Sequence, residues 1–114
     1  MNLEGKTALI IGAGRGIGRC AAERFSEAGA NIVIASRTEP ELLELEYKLN
    51  TKGNQNILPV ECDAANESEV AALVESAKSE YGSIDYLVLA AGMGVLKPFA
   101  ELTADDLEIQ FRAN

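Results

Sequence analysis

Apolar residues along this chain follow two rhythms. Short, mostly apolar runs, at Thr7 to Ile11, 31–35, 57–62 and 84–89, are separated by longer stretches in which apolar positions return every third or fourth residue. An apolar run of this length, bounded by glycine or polar residues, fits a strand buried on both faces of a parallel sheet. The wider spacing fits one face of a helix. Between the first two runs the stripe is Ile17, Cys20, Ala21, Phe25 and Ala28, with Gly29 placed to end the helix. Thr38 and Glu41 have the spacing of a capping box ahead of Leu42, Leu45 and Leu49, and Gly53 closes that second helix. Asn66 with Glu69 opens a third, carrying Val70, Leu73, Val74, Ala77 and Tyr81 and closed by Gly82. After an irregular stretch at 90–100, Thr103 with Asp106 starts a last helix bearing Leu107 and Phe111, inside which the sequence stops.

Four alternations of strand and helix with short connections predict an α/β fold. The expected form is a Rossmann-type three-layer sandwich, with parallel strands in the order 3-2-1-4 and helices on both faces, ending after the start of the fourth helix. Pro59 has no N–H to give a ladder, so the third strand belongs at a sheet edge, which agrees with that order.

Composition narrows the class. With 114 residues, 47% hydrophobic and 25% charged, the chain is expected to form one soluble globular domain, residues 1–114. A formal charge of -8 argues against nucleic acid or an anionic membrane as partner, so any anionic ligand has to be held locally by backbone N–H groups and a placed arginine. Cys20 and Cys62 form no CxxC pair and there is no histidine, so neither a metal site nor a disulfide framework is expected; both thiols read as small core residues. The first residues lack the pattern of a secretion signal, no apolar stretch approaches about 18 residues, and the expected compartment is the cytoplasm.

The chemistry concentrates where the first strand meets the first helix. Residues 10–18 carry Gly12, Gly14, Gly16 and Gly18. A sharp strand-to-helix turn needs backbone freedom, and a pyrophosphate reaches the helix N-terminal amides only where no Cβ intrudes. Gly12, Gly16 and Gly18 suit those tasks; the alternative is that the glycines serve only a tight turn.

The spacing Gly-x-x-x-Gly-x-Gly, with Ile17 between the last two glycines, resembles the short-chain dehydrogenase/reductase family, whose pattern is Thr-Gly-x-x-x-Gly-Ile-Gly; Ile11 stands here for the threonine. The resemblance extends to Asp63 after the third strand, Ala91-Gly92 after the fourth, and Asn114. It implies a dinucleotide held by Gly12, Gly14, Arg15, Gly16, Ile17 and Gly18, with Asp63 and Ala64 at the adenine. Backbone at Ala90, Ala91 and Gly92 would pass the ribose, although the family's Asn-Asn-Ala-Gly reads Leu89-Ala90-Ala91-Gly92 here. In the family the residue ending the second strand meets the adenosine ribose, an acid favouring NAD(H) and a basic residue NADP(H). Ser36 and Arg37 occupy that corner, and a guanidinium can pair with a 2′-phosphate where a carboxylate would repel it. NADP(H) is therefore expected in preference to NAD(H), with Arg15 as a second basic contact. The residues leave open that Arg37 is a solvated charge paired with Glu39 or Glu41, and that Asp63 is a turn residue.

Family members transfer hydride between the dinucleotide and a carbonyl or alcohol, using a Tyr-x-x-x-Lys pair and a serine. No tyrosine here has that lysine: Tyr47 is followed at the spacing by Thr51, Tyr81 by Asp85 and Tyr86 by Ala90. Of the catalytic set only Asn114 has a counterpart, so these residues alone are expected to be inactive, the first part of a longer reductase whose small carbonyl or alcohol substrate binds only in that context. A stand-alone NADP(H)-binding or sensing module explains the same residues. An S-adenosylmethionine-dependent methyltransferase is a weaker alternative, because Ile10, Ile11 and Arg37 stand where acids are usual. Ending at the fourth helix would leave the fourth strand as an open apolar edge, and a homo-oligomer formed through it is expected.

Overall fold

The computed structural model describes residues 2–90 and, as backbone alone, the strand Val95–Pro98. The elements are β1 (Thr7–Ile11), α1 (Gly16–Glu27), β2 (Asn31–Ser36), α2 (Glu39–Thr51), β3 (Ile57–Glu61), α3 (Glu67–Tyr81), β4 (Tyr86–Leu89) and β5 (Val95–Pro98). The helix expected from Thr103 lies outside the described residues.

The sheet order is β3-β2-β1-β4-β5. The first four strands are parallel, as expected, with Ile10 opposite Ile34 on one side and Val88 on the other. Pro59 sits in β3, which among the described residues is an edge strand paired with β2, so its missing N–H breaks no central ladder. Asp85 ties the near end of the sheet: its backbone N–H donates to the Thr7 carbonyl at 2.8 Å, and its carboxylate accepts the Thr7 N–H at 2.9 Å.

Alternation along the strands feeds two cores. Leu9, Ile11, Val33, Leu87 and Leu89 pack with Val70, Leu73 and Ala77 of α3. Ala8, Ile10, Ile32, Ile34 and Val88 pack on the opposite face with Ala22 of α1 and Leu42, Leu45 and Leu49 of α2. Burial on both faces is what an uninterrupted apolar strand requires, and it leaves the strand ends as the place where polar chemistry can collect.

The structure corrects the sequence reading at several points. The buried stripe of α1 is Gly18, Ala22 and Ser26, flanked by half-buried Ala21, Phe25 and Ala28, whereas Ile17 is 69% exposed and Cys20 is also exposed. The helix lies so close to the sheet that small residues, not the largest apolar ones, must face it. Thr38 is the N-cap of α2 but its side chain makes no capping bond; Ser36 Oγ accepts the Thr38 N–H at 3.0 Å instead. In α3 the cap forms as expected, with Asn66 Oδ1 accepting the Glu69 N–H at 3.1 Å. Finally, the stretch 90–100 is not wholly irregular. β5 runs antiparallel along β4, pairing Leu89 with Val95 and Tyr86 with Pro98. β4 is therefore not the open edge expected, and the premise for a homo-oligomer through an exposed fourth strand is removed. An apolar strand with free ladder groups is satisfied within its own chain, by a segment whose lysine and proline suit an edge.

Candidate functional site

β1 ends in a turn whose geometry follows from its glycines. Gly12 has φ +89° and Gly16 φ +66°, the left-handed region that side chains disfavour. Gly18 is required by space: a Cβ there would overlap the Gly12 carbonyl oxygen and lie 3.0 Å from the Ala90 methyl. These reasons would hold for a bare turn as well. What points to a ligand is the state of the amides.

The N–H groups of Gly12 and Ala13 both donate to the Ala35 carbonyl, at 2.8 and 3.1 Å, which anchors the turn to β2. Beyond them α1 begins without help. Its N-cap, Arg15, gives no side-chain bond, and its first turn holds no acidic residue. The other helices differ, since α2 has Glu39 and Glu41 in its first turn and α3 has both the Asn66 cap and two acids. A helix start carries partial positive charge and unfilled donors, and among the described residues the start of α1 has no side chain to answer them.

Beside this helix start lies a cavity of about 470 Å³, bounded by the carboxyl ends of three adjacent strands. Gly12, Gly14 and Arg15 line it from the turn, Ser36, Arg37, Thr38 and Glu41 from the segment after β2, and Cys62, Asp63, Ala64 and Ala65 from the segment after β3. The sheet order brings these together, because β1 lies next to β2 and β2 next to β3. Of the residues singled out in the sequence, Gly12, Gly14, Arg15, Ser36, Arg37, Asp63 and Ala64 thus share one cavity wall. Gly16, Ile17 and Gly18 form the adjoining first turn of α1. Ala90 stands against Gly18 and donates its N–H to the Ile11 carbonyl at 2.9 Å, but it does not line the cavity. Ala91, Gly92 and Asn114 lie outside the described residues.

The charges are arranged unevenly. Arg15 Nε is 3.5 Å from Glu41 Oε2. Arg37 is exposed and forms no ion pair among the described residues, so the alternative that it pairs with Glu39 or Glu41 is not the arrangement seen. Asp63 does act in a turn: its Oδ1 accepts the Ala65 N–H at 2.9 Å, and its own N–H donates to Glu69 Oε1 at 3.1 Å. Cys62, expected from the sequence only as core, is buried and yet lines the cavity; burial, reinforced by Glu69 and Asp63, pushes its thiol up to about 11. It is a neutral wall at ordinary pH. The sequence alone does not mark Cys62, Thr38, Glu41 and Ala65 as site residues. Their signal is positional, since open α/β sheets bind ligands at the carboxyl ends of their strands. No cluster of three metal-ligating side chains occurs among the described residues.

The family model described as short chain dehydrogenase matches residues 6–114. A diacetyl reductase ((S)-acetoin forming) of Staphylococcus epidermidis is 36% identical over 109 residues, covering 96% of this chain and 42% of that protein. The 7alpha-hydroxysteroid dehydrogenase of Escherichia coli is 37% identical, covering 92% and 41%. Among solved structures, the L-sorbose reductase of Gluconobacter frateurii complexed with NADPH and L-sorbose superposes with a TM-score of 0.76 at 37% identity, covering 92% of this chain and 40% of that one. The 3-ketoacyl-(acyl-carrier-protein) reductase of Brucella melitensis complexed with NADH gives 0.70 at 39% identity, covering 76% and 34%. The chain spans about two-fifths of the length of the curated relatives it matches.

Proposed function

This chain belongs to the short chain dehydrogenase family, and from that premise we propose that it binds NADP(H) in preference to NAD(H), as the dinucleotide-holding part of a carbonyl or alcohol oxidoreductase. Similar proteins are seen with either dinucleotide, so the choice rests on residues of this chain. One observation carries it: Arg37 lines the cavity beside Ser36, where β2 ends, with neither position 36 nor 37 acidic and with Arg15 on the neighbouring wall. A 2′-phosphate there gains charge-assisted hydrogen bonds that a 2′-hydroxyl cannot make in the same strength.

The rest of the site fits the same molecule. The amides of residues 14–18 at the unanswered start of α1 would hold the pyrophosphate, as helix N-termini hold phosphates elsewhere. Asp63, with Oδ1 engaged by Ala65, has Oδ2 to accept from an adenine amino group, and Ala64 would line the adenine. Backbone at Ala90, Ala91 and Gly92 would pass the ribose, and Asn114 would contribute to the catalytic set. When bound, the nicotinamide supplies or accepts the hydride. The protein's own part in these residues is to bind and orient; they hold no Tyr-x-x-x-Lys pair, and general acid–base catalysis is worth about 10²- to 10⁴-fold. On their own they are expected not to turn over a carbonyl.

Calorimetric titration with NADPH, NADH and S-adenosylmethionine tests the reading. NADPH is expected to bind more tightly than NADH, S-adenosylmethionine not to bind, and Arg37→Ala to weaken NADPH by roughly tenfold or more while leaving NADH near its starting value. Retention of the preference in Arg37→Ala would overturn the assignment.

A further inference from the structure

Glu41 places a carboxylate in the wall of the cavity that a 2′-phosphate has to enter, so its part in cofactor choice depends on NADP(H) being the ligand proposed for this site. It stands in the first turn of α2, and its carboxylate also reaches over the cavity. Oε2 reaches 3.5 Å from Arg15 Nε across the cavity rim. Oε1, with Ser36 Oγ, lies 3.3 Å from the point where a Cβ on Gly14 would stand, so the carboxylate leans over the glycine turn next to the corner assigned to the adenosine ribose. The pair is lopsided: the Glu41 side chain is 29% exposed and that of Arg15 86%. The carboxylate is the more enclosed member and the guanidinium the more solvated one.

We infer that Glu41 is a specificity-determining residue, one that works against Arg37 and narrows the margin by which NADP(H) is preferred. A 2′-phosphate arriving beside Ser36 and Arg37 meets this negative charge and must also draw Arg15 away from it. A ribose with a free 2′-hydroxyl meets no such repulsion and can donate to the same carboxylate. Discrimination between two ligands is a difference of affinities, and a repulsive element lowers one side of that difference without touching the other. The site is thereby set to accept both dinucleotides more evenly than its two arginines alone would allow.

The test is the ratio of NADH to NADPH dissociation constants in the parent protein, Glu41→Gln and Glu41→Asp, measured at low and high salt. Glu41→Gln is expected to tighten NADPH roughly three- to tenfold and to leave NADH unchanged or weaker, by an amount that shrinks as salt rises from about 0.01 M to about 0.5 M. Glu41→Asp, which keeps the charge, is expected to stay nearer the parent ratio. A Glu41→Gln ratio that is unchanged, moves toward NADH, or shifts independently of salt overturns the inference. If the parent prefers NADH and Glu41→Gln still moves the ratio toward NADPH, the role of Glu41 stands and the NADP(H) assignment falls. If the parent binds neither dinucleotide, both fall.

Discussion

Gly18 has no room for a side chain, because a Cβ on it would occupy the same space as the Gly12 carbonyl oxygen, and the backbone of a tight turn cannot give way as a flexible side chain could. Gly18→Ala is therefore expected to destabilise by about 3 kcal/mol, the upper part of the overpacking range, and to lower the melting temperature by roughly 10 °C or more. A melting temperature within a few degrees of the parent's would show that the turn is looser than described. The two thiols make a second residue-scale contrast. Cys62 is buried and its thiol is pushed up to about 11 by burial and by neighbouring carboxylates, while Cys20 is exposed. A raised value means less thiolate at any given pH, and thiolate is the species that alkylates. Iodoacetamide at about pH 8 is expected to label Cys20 and spare Cys62 in the folded protein, with peptide mapping as the check. Equal labelling would contradict the burial of Cys62.

At the scale of elements, α1 and α2 are joined on their outer side by charges. Lys48 Nζ donates to Glu23 Oε1 at 2.7 Å, and Arg19 bridges Glu23 and Glu44 at 3.9 and 3.0 Å. The Lys48 hydrogen bond, chiefly, holds the Glu23 carboxyl below its ordinary value. A depressed folded value gives stability that is present above the unfolded value and lost as pH falls through the folded one. Lys48→Met is thus expected to cost about 0.5 to 1 kcal/mol in urea denaturation at neutral pH, and the difference from the parent to shrink as pH falls below the ordinary glutamate value of about 4.3, vanishing once Glu23 is protonated in the folded protein. A difference that persists in acid would assign the effect to the lysine's methylenes. Element existence was legible in the chain, because runs such as Thr7–Ile11 and stripes such as Val70, Leu73, Val74 and Ala77 are buried as their periodicity requires. The face of α1 was not, since Ile17 and Cys20 look apolar in sequence while the contact demands the smallness of Gly18 and Ala22. Nor was β5 legible, because four residues with a lysine and a proline carry no period and acquire strand structure only from the neighbour they pair with. In the site, glycines and Arg37 could be read because their spacing is local. Cys62 and Glu41 could not, because only the sheet order brings the ends of β1, β2 and β3 into one wall.

For the molecule as a whole, a chain of net acidic charge brings two arginines and a bare helix start to one cavity. The net charge is -8, yet the cavity sets Arg15, Arg37 and the positive end of α1 beside Glu41 and Asp63, so an anionic dinucleotide is expected to bind there, held by those local donors. Helices pack on both faces of the sheet, and no helix among the described residues is long and apolar enough to cross a membrane. The central claim is that the unanswered amides at the start of α1 receive phosphate oxygens. Amide chemical shifts followed during titration with NADPH test it most directly. The largest changes are expected at residues 14–18, with a second group at 36–37 and 63–65. Saturable binding that leaves the amides of 14–18 unmoved, or that shifts signals only on the outer faces of α2 and α3, would contradict it.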